Sequence, residues 1–150
     1  MSTTLDTLTT DLTTAMKARD TFRTSVLRQV IGAIRAEEKA GKVARTLTED
    51  DVLAVLASQA KLRRDTAQNW TDNGVHDRAA TENAEADVID AYLPAKLTAA
   101  ELDAIVAESI AAVGATTMKQ MGQVMKEATA RAGLGADGKT LSALVRAALA

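Results

Sequence analysis

The chain has 150 residues, a formal net charge of −2 and no cysteine; it is 47% hydrophobic, but alanine supplies 31 of those residues and the only aromatics are Phe22, Trp70 and Tyr92. Disulfides, thiolate metal sites and thiol catalysis are excluded, and the overall charge offers no global attraction for nucleic acid. Alanine favours helix but buries little surface, so the composition points to thin helical layers with a core of scattered Leu, Val, Ile and Met.

The first stretch, Ser2 to Asp11, is Thr-rich and acidic without an apolar h-region, so it does not read as a signal peptide. No apolar run approaches the ~20 residues that span a bilayer. A cytoplasmic protein with no membrane partner is expected. The first helix is predicted from about Thr4 to Ala18, with Leu5, Leu8, Leu12, Ala15 and Met16 at helical spacing. Asp20 can cap a second, longer helix reaching about Lys39, with the stripe Val26, Leu27, Val30, Ile31 and Ile34. Gly41 is expected to end it, leaving Gly41–Arg45 as a basic loop.

Thr48-Glu49-Asp50-Asp51 opens a third helix, an N-cap threonine with acidic residues in the positive first turn. Val52, Leu56, Ala60, Ala67 and Trp70 line one side of it, and Asn73-Gly74 stops it. The fourth helix, about Asp77 to Ala91, is acidic and alanine-rich, with Val88 and Ile89 as its main large apolar groups. It is expected to be the most weakly held helix of the first half. Pro94, the sole proline, then breaks the pattern at Tyr92-Leu93-Pro94. Thr98-Ala99-Ala100-Glu101 starts afresh with a capping-box pattern.

Three shorter helices follow. Leu102, Ile105, Val106, Ile110 and Val113 form one stripe, closed by Gly114. Met118, Met121, Val124, Met125 and Ala128 form the next, readable as core or as an adaptable binding surface. Leu141, Leu144, Val145, Ala148 and Leu149 form the last. The predicted fold class is all-α: an N-terminal four-helix domain over residues 1–93 and a C-terminal three-helix domain over residues 94–150. The second is short for independent stability.

Charge is unevenly distributed: residues 17–45 carry a net +5 and residues 72–103 a net −6. Such runs can be solvated faces, or a local basic face can hold phosphate in an acidic chain. At 100° per residue, Arg28, Arg35 and Lys39 fall within about 40° of each other on the second helix. Gly32 lies between them. A glycine there costs ~1 kcal/mol against alanine, and close approach of a backbone or a ligand would account for it. Lys61, Arg63 and Arg64 form a second basic cluster, with Arg63 and Gln59 on the apolar stripe of the third helix and so candidates for a buried structural role. No aromatic interleaves these cations, so shape and phosphate recognition of a folded RNA fits better than base stacking.

Enzyme signatures are thin. His76 is the only histidine, beside a turn, and no serine has an evident triad partner. Glu82, Glu85, Asp87 and Asp90 suggest a cation site only loosely; solvation or ion pairing with the basic half reads as well. Gly133-Leu134-Gly135-Ala136-Asp137-Gly138-Lys139 lacks the spacing of a nucleotide-binding P-loop. Either Gly133 and Gly135 end one helix through positive φ and Asp137 caps the next, or the free amides and Lys139 also hold phosphate.

Gly122-Gln123-Val124-Met125-Lys126, the Ala136-Asp137-Gly138-Lys139 corner and Leu144-Val145 together resemble the tail domain of the B subunit of tRNA-dependent amidotransferases, shared with the free-standing GatB/YqeY family. Arg23-Thr24-Ser25-Val26-Leu27-Arg28, Lys61-Leu62-Arg63-Arg64-Asp65 with Asn73-Gly74, Glu82, Glu85 and Tyr92-Leu93-Pro94 extend the resemblance over most of the chain. The resemblance implies an all-helical protein of two domains and a tRNA-binding or tRNA-associated accessory module. It carries an association with carbon–nitrogen ligase activity using glutamine as amide donor, without a catalytic domain or catalytic site of its own and without a cofactor or metal. Members often carry a basic residue in the loop before Ala-Asp-Gly; here Arg131 is the nearest cation. The expected partner is tRNA or another structured RNA, not DNA, through Arg28, Arg35, Lys39, Lys61 and Arg64, with Lys126, Gly138 and Lys139 as a second contact. The rival expectation is a protein–protein adaptor docking on an amidotransferase or an aminoacyl-tRNA synthetase.

Overall fold

A computed structural model describes residues 2–150. Among them the regular structure is helical: α1 Thr3–Lys17, α2 Thr21–Glu38, α3 Glu49–Asp72, α4 His76–Asp90, α5 Ala99–Val113, α6 Met121–Ala132 and α7 Gly138–Leu149. No helix is long and apolar enough to cross a membrane. The chain divides into two compact units, one ending at Leu93 and one running Pro94–Ala150.

Local chemistry sets the helix ends. Ser2, Asp20, Thr48, Thr98 and Asp137 each accept a hydrogen bond from a free amide of the turn they cap. Thr48 with Asp51 and Thr98 with Glu101 form reciprocal capping boxes. In the Thr-rich α1, the hydroxyls of Thr7, Thr9, Thr13 and Thr14 donate to the carbonyl four residues back. That satisfies side chains which otherwise compete with the helix. The end of α1 is a Schellman closure: the Asp20 amide donates to the Ala15 carbonyl at 3.0 Å and the Arg19 amide to the Met16 carbonyl at 3.1 Å. Arg19 occupies the left-handed position with φ 57°, where a side chain costs roughly 1 kcal/mol against glycine. The helix α2 ends at Glu38, capped by Lys39, so Gly41 follows the end instead of making it.

In the first unit Leu8, Val26, Leu27, Val30, Ile34, Val52, Leu56 and Ile89 form a closed core. Each such side chain contributes about 1.5–3 kcal/mol by leaving water. Met16, grouped with the α1 stripe by spacing, is 49% exposed. It is one position past Ala15, 100° around the helix from the buried row. The helix α4 buries only Ala79, Ala86 and Ile89, the thin apolar contact expected. It is nevertheless not weakly held, because its pairing with α3 is the most extensive between any two helices. Small alanines allow that close approach, and ion pairs described below add to it.

The second unit packs α5, α6 and α7 pairwise around Leu102, Val106, Val124, Ala128, Leu141 and Val145. Met121 and Met125 pack partly buried against that core, whereas Met118 is 41% exposed, so the methionine stripe divides between core and surface. At the glycine-rich corner the expected symmetry of Gly133 and Gly135 does not hold. Gly133 has a positive φ of 54°. Gly135 does not; a Cβ there would lie 2.6 Å from Leu97 Cγ, and its carbonyl accepts from the Leu97 amide at 2.9 Å. Close approach, not turn geometry, is what requires glycine at 135.

Candidate nucleic-acid interface

The cations of the first unit fall into two sets. The first is held by carboxylates. Arg63 is 6% exposed; its Nε donates to Glu85 at 3.1 Å, Nη1 to the Gln59 carbonyl and side chain, and Nη2 to Gln29 at 2.9 Å. One guanidinium thus ties α2, α3 and α4 together with its donors used in fork geometry. Arg64 donates to Asn83, to Asp87 at 2.6 Å and to Asp90 at 2.8 Å. Arg45 holds Glu37 and Asp51, closing the loop between α2 and α3. Lys61 pairs with Asp65 at 2.6 Å. Arg78 lies over the Trp70 ring, 4.8 Å from its centroid.

Arg23 belongs to the same held set. It donates to the Tyr92 hydroxyl at 2.8 Å, and that hydroxyl donates to Asp11. Burial, reinforced by the Asp11 carboxylate accepting its proton, pushes the Tyr92 phenol up to about 12. This contact fastens the end of α4 to α1 and α2. At the other end of α1, Ser2 and Thr4 hydroxyls donate to the Glu49 carboxylate and hold it below the usual glutamate range.

The second set has no ion-pair partner among the described residues: Lys17, Arg19, Arg28, Lys39 and Lys42. All are exposed and all lie between the last turn of α1 and the loop after α2. Arg35 stands between the sets: Nη1 reaches both oxygens of Glu38 at 2.9 and 3.0 Å, yet its side chain is 55% exposed. An exposed pair of this kind contributes little to stability and gives way readily.

Of the residues singled out from sequence, then, Arg28, Arg35 and Lys39 share an exposed face of α2. Arg64 does not join them in one open patch. Arg64 is turned onto α4, while the Arg28 guanidinium reaches α1, where Nη2 lies 3.7 Å from the Met16 sulfur. The acidic residues of α4 hold two of the cations of α3: Glu85, Asp87 and Asp90 are the partners of Arg63 and Arg64. No group of His, Cys, Asp and Glu among the described residues could hold a metal ion. Gly32 is met by nothing: a Cβ there would find no heavy atom within 4 Å, so no approach of another backbone explains it. Beside Arg35 an open groove of about 470 Å³ is bounded by Asp6, Thr9, Thr10, Glu38 and Thr46. Its carboxylates outnumber its single cation, so phosphate is not its natural occupant.

Lys126, Gly138 and Lys139 belong to the second unit. All three are exposed. Gly138 is the first residue of α7, and the Asp137 carboxylate already sits on that N-terminus, accepting from the Thr140 amide at 2.7 Å. That bond, with help from Lys96, holds Asp137 below the usual range. The negative charge at the helix end is therefore supplied by the chain itself, and Lys126 and Lys139 stand as exposed side-chain cations. Lys17, Arg19 and Lys42 were missed as candidates. Their only sequence signal is membership of the basic 17–45 run, which does not separate them from Arg23 and Arg45.

No curated protein matches the chain. The model of the Yqey-like protein family matches residues 5–149, and the chain belongs to that family.

Proposed function

We propose that the protein is an RNA-binding accessory module, and that its ligand is tRNA or a similarly structured RNA taken up on the exposed face of α2. The observation that supports this best is the sorting of cations. Among the described residues of the first unit, the cations left without a carboxylate or an aromatic partner are those around α2. Unpaired, solvated side chains on one helix face fit phosphate contacts. The second unit would add Lys126 and Lys139. On this reading the module serves a tRNA-dependent amidotransferase, a carbon–nitrogen ligase using glutamine as amide donor, and the chemistry lies with that enzyme.

The test is a salt titration of tRNA binding by the wild type and by the combined variant Arg28→Glu, Arg35→Glu, Lys39→Glu. The fold is expected to survive, because all three side chains are exposed. Each lost phosphate contact should flatten the slope of log affinity against log salt by ~0.7–0.9. A folded variant with wild-type affinity and slope would remove α2 as the RNA site. Salt-insensitive binding to an amidotransferase or synthetase, with no RNA binding, would favour the adaptor reading.

A further inference from the structure

Two positions along this surface run against the preferences of the fold itself, and we propose that both serve an RNA backbone lying across α2 at Gly32 and gripped at the α1–α2 corner by Arg19. The inference rests on the RNA reading above and adds to it a path and a contact residue.

The first position is Arg19. The Schellman closure of α1 favours glycine at its left-handed residue, and the chain carries an arginine there with φ 57°. A cation near a helix C-terminus is favourable, but Lys17 already sits in the last turn, and Ala18 in the ordinary right-handed region could carry one without strain. The dipole therefore does not account for an arginine at 19. What the left-handed residue does provide is a guanidinium on an exposed corner.

The second position is Gly32. Helix interiors disfavour glycine against alanine, and a Cβ at 32 would meet no heavy atom of the protein within 4 Å. Nothing inside the molecule requires the gap. It lies among Arg28, Arg35 and Lys39 on the α2 face, where a missing side chain lets a ligand backbone approach the helix closely.

The two positions are joined through Met16. Its carbonyl accepts from the Arg19 amide at 3.1 Å, and its sulfur lies 3.7 Å from Arg28 Nη2. Lys39, Arg35, Gly32 and Arg28 span about 16 Å of helix length, and the Met16 contact brings Arg28 to the end of α1, where Lys17 and Arg19 are exposed. Asp20, the carboxylate next in sequence to Arg19, is engaged by the Arg23 amide at 3.0 Å. A polyanion with repeated phosphates fits such a line of cations; a single phosphate would use only part of it.

The experiment compares the full-length wild type with Arg19→Gly, Arg19→Lys and Gly32→Leu, using fluorescently labelled tRNA by anisotropy at several salt concentrations, and thermal melts. Arg19→Gly relieves the left-handed strain, so its Tm should rise by about 2 °C. Its tRNA affinity should nonetheless fall ~3–10-fold and its salt slope flatten by nearly one contact. A structural role for Arg19 cannot give that combination. Arg19→Lys should recover the slope. Gly32→Leu should melt at or above the wild-type Tm, yet lose about tenfold in affinity as the RNA is lifted off neighbouring cations. The proposal is overturned if Arg19→Gly and Gly32→Leu bind like wild type while the triple reversal on α2 abolishes binding; the RNA reading then stands without this path. It is also overturned if either variant melts below wild type, since the positions would then be constrained by the fold. If the wild type binds no tRNA, this path and the RNA reading fall together.

Discussion

The helices α2 and α3 each carry three cations, yet the molecule treats Arg28 and Arg35 of α2 differently from Arg63 and Arg64 of α3. On α3, Arg63 is buried among Gln29, Gln59 and Glu85, and Arg64 is held by Asn83, Asp87 and Asp90. On α2, Arg28 has no carboxylate partner among the described residues and Arg35 pairs only with its half-buried neighbour Glu38. The difference lies in what packs alongside. The helix α4, which lies along α3, is acidic, so its carboxylates take up Arg63 and Arg64, while none of them pairs with Arg28 or Arg35. The formal charge of a segment is thus a poor guide to the potential outside it. Basic residues become available to a phosphate only where the fold supplies no carboxylate first.

Removing the buried member is the hardest blow to this comparison. Arg63→Met keeps the apolar stem but leaves Glu85, Gln59 and Gln29 without their donor, and breaking a buried pair in this way costs ~3 kcal/mol. Urea denaturation followed by circular dichroism measures it; a loss below about 1 kcal/mol would mean that alanine packing alone docks α4 on α3. Next in size is a matched pair on the two helices. Arg64→Ala should destabilise by about 1–2 kcal/mol, since charge-assisted hydrogen bonds are lost but the site is partly screened by solvent. Arg28→Ala should stay within ~0.5 kcal/mol of wild type while flattening the salt dependence of RNA binding. Equal stability losses would erase the distinction between held and free cations.

Arg23 sharpens the comparison from within α2, because it is the cation of that helix turned inward. Its partner Tyr92 is the only tyrosine, so tyrosinate absorbance reports on one group. An unfolded tyrosine ionises near ~10, whereas the native phenol is pushed up to about 12. Since the native value is the higher, the contribution of the Asp11–Tyr92–Arg23 contact is complete below about pH 10 and lost as pH rises through about 12. Asp11→Asn should bring the native midpoint down, because the carboxylate accepting the phenolic proton is gone; an unchanged midpoint would leave burial as the whole cause. A gain in stability is expected at Gly32. Gly32→Ala should stabilise by up to ~1 kcal/mol, as nothing in the protein meets the added methyl. A destabilised variant would show that the open face of α2 is not open.

The all-helical class and the seven α-helices among the described residues were legible in the sequence because their signals are local. Thr98 announces its capping box within four residues, Thr48 announces an N-cap ahead of an acidic first turn, and Val26, Val30 and Ile34 repeat at the pitch of a helix. The buried role of Arg63 was legible too, from its position on an apolar stripe. The α2 cations Arg28, Arg35 and Lys39 could be aligned on one face by counting alone. The rest depended on which helix lies beside which. Nothing near Arg64 in the chain says that Asp87 and Asp90 will reach it, nor that Leu97 will press on Gly135, nor that Met16 will lie outside the core against Arg28. Periodicity is fixed by backbone geometry over a few residues, whereas the fate of a charge depends on partners tens of residues away, and only the packed structure brings those together.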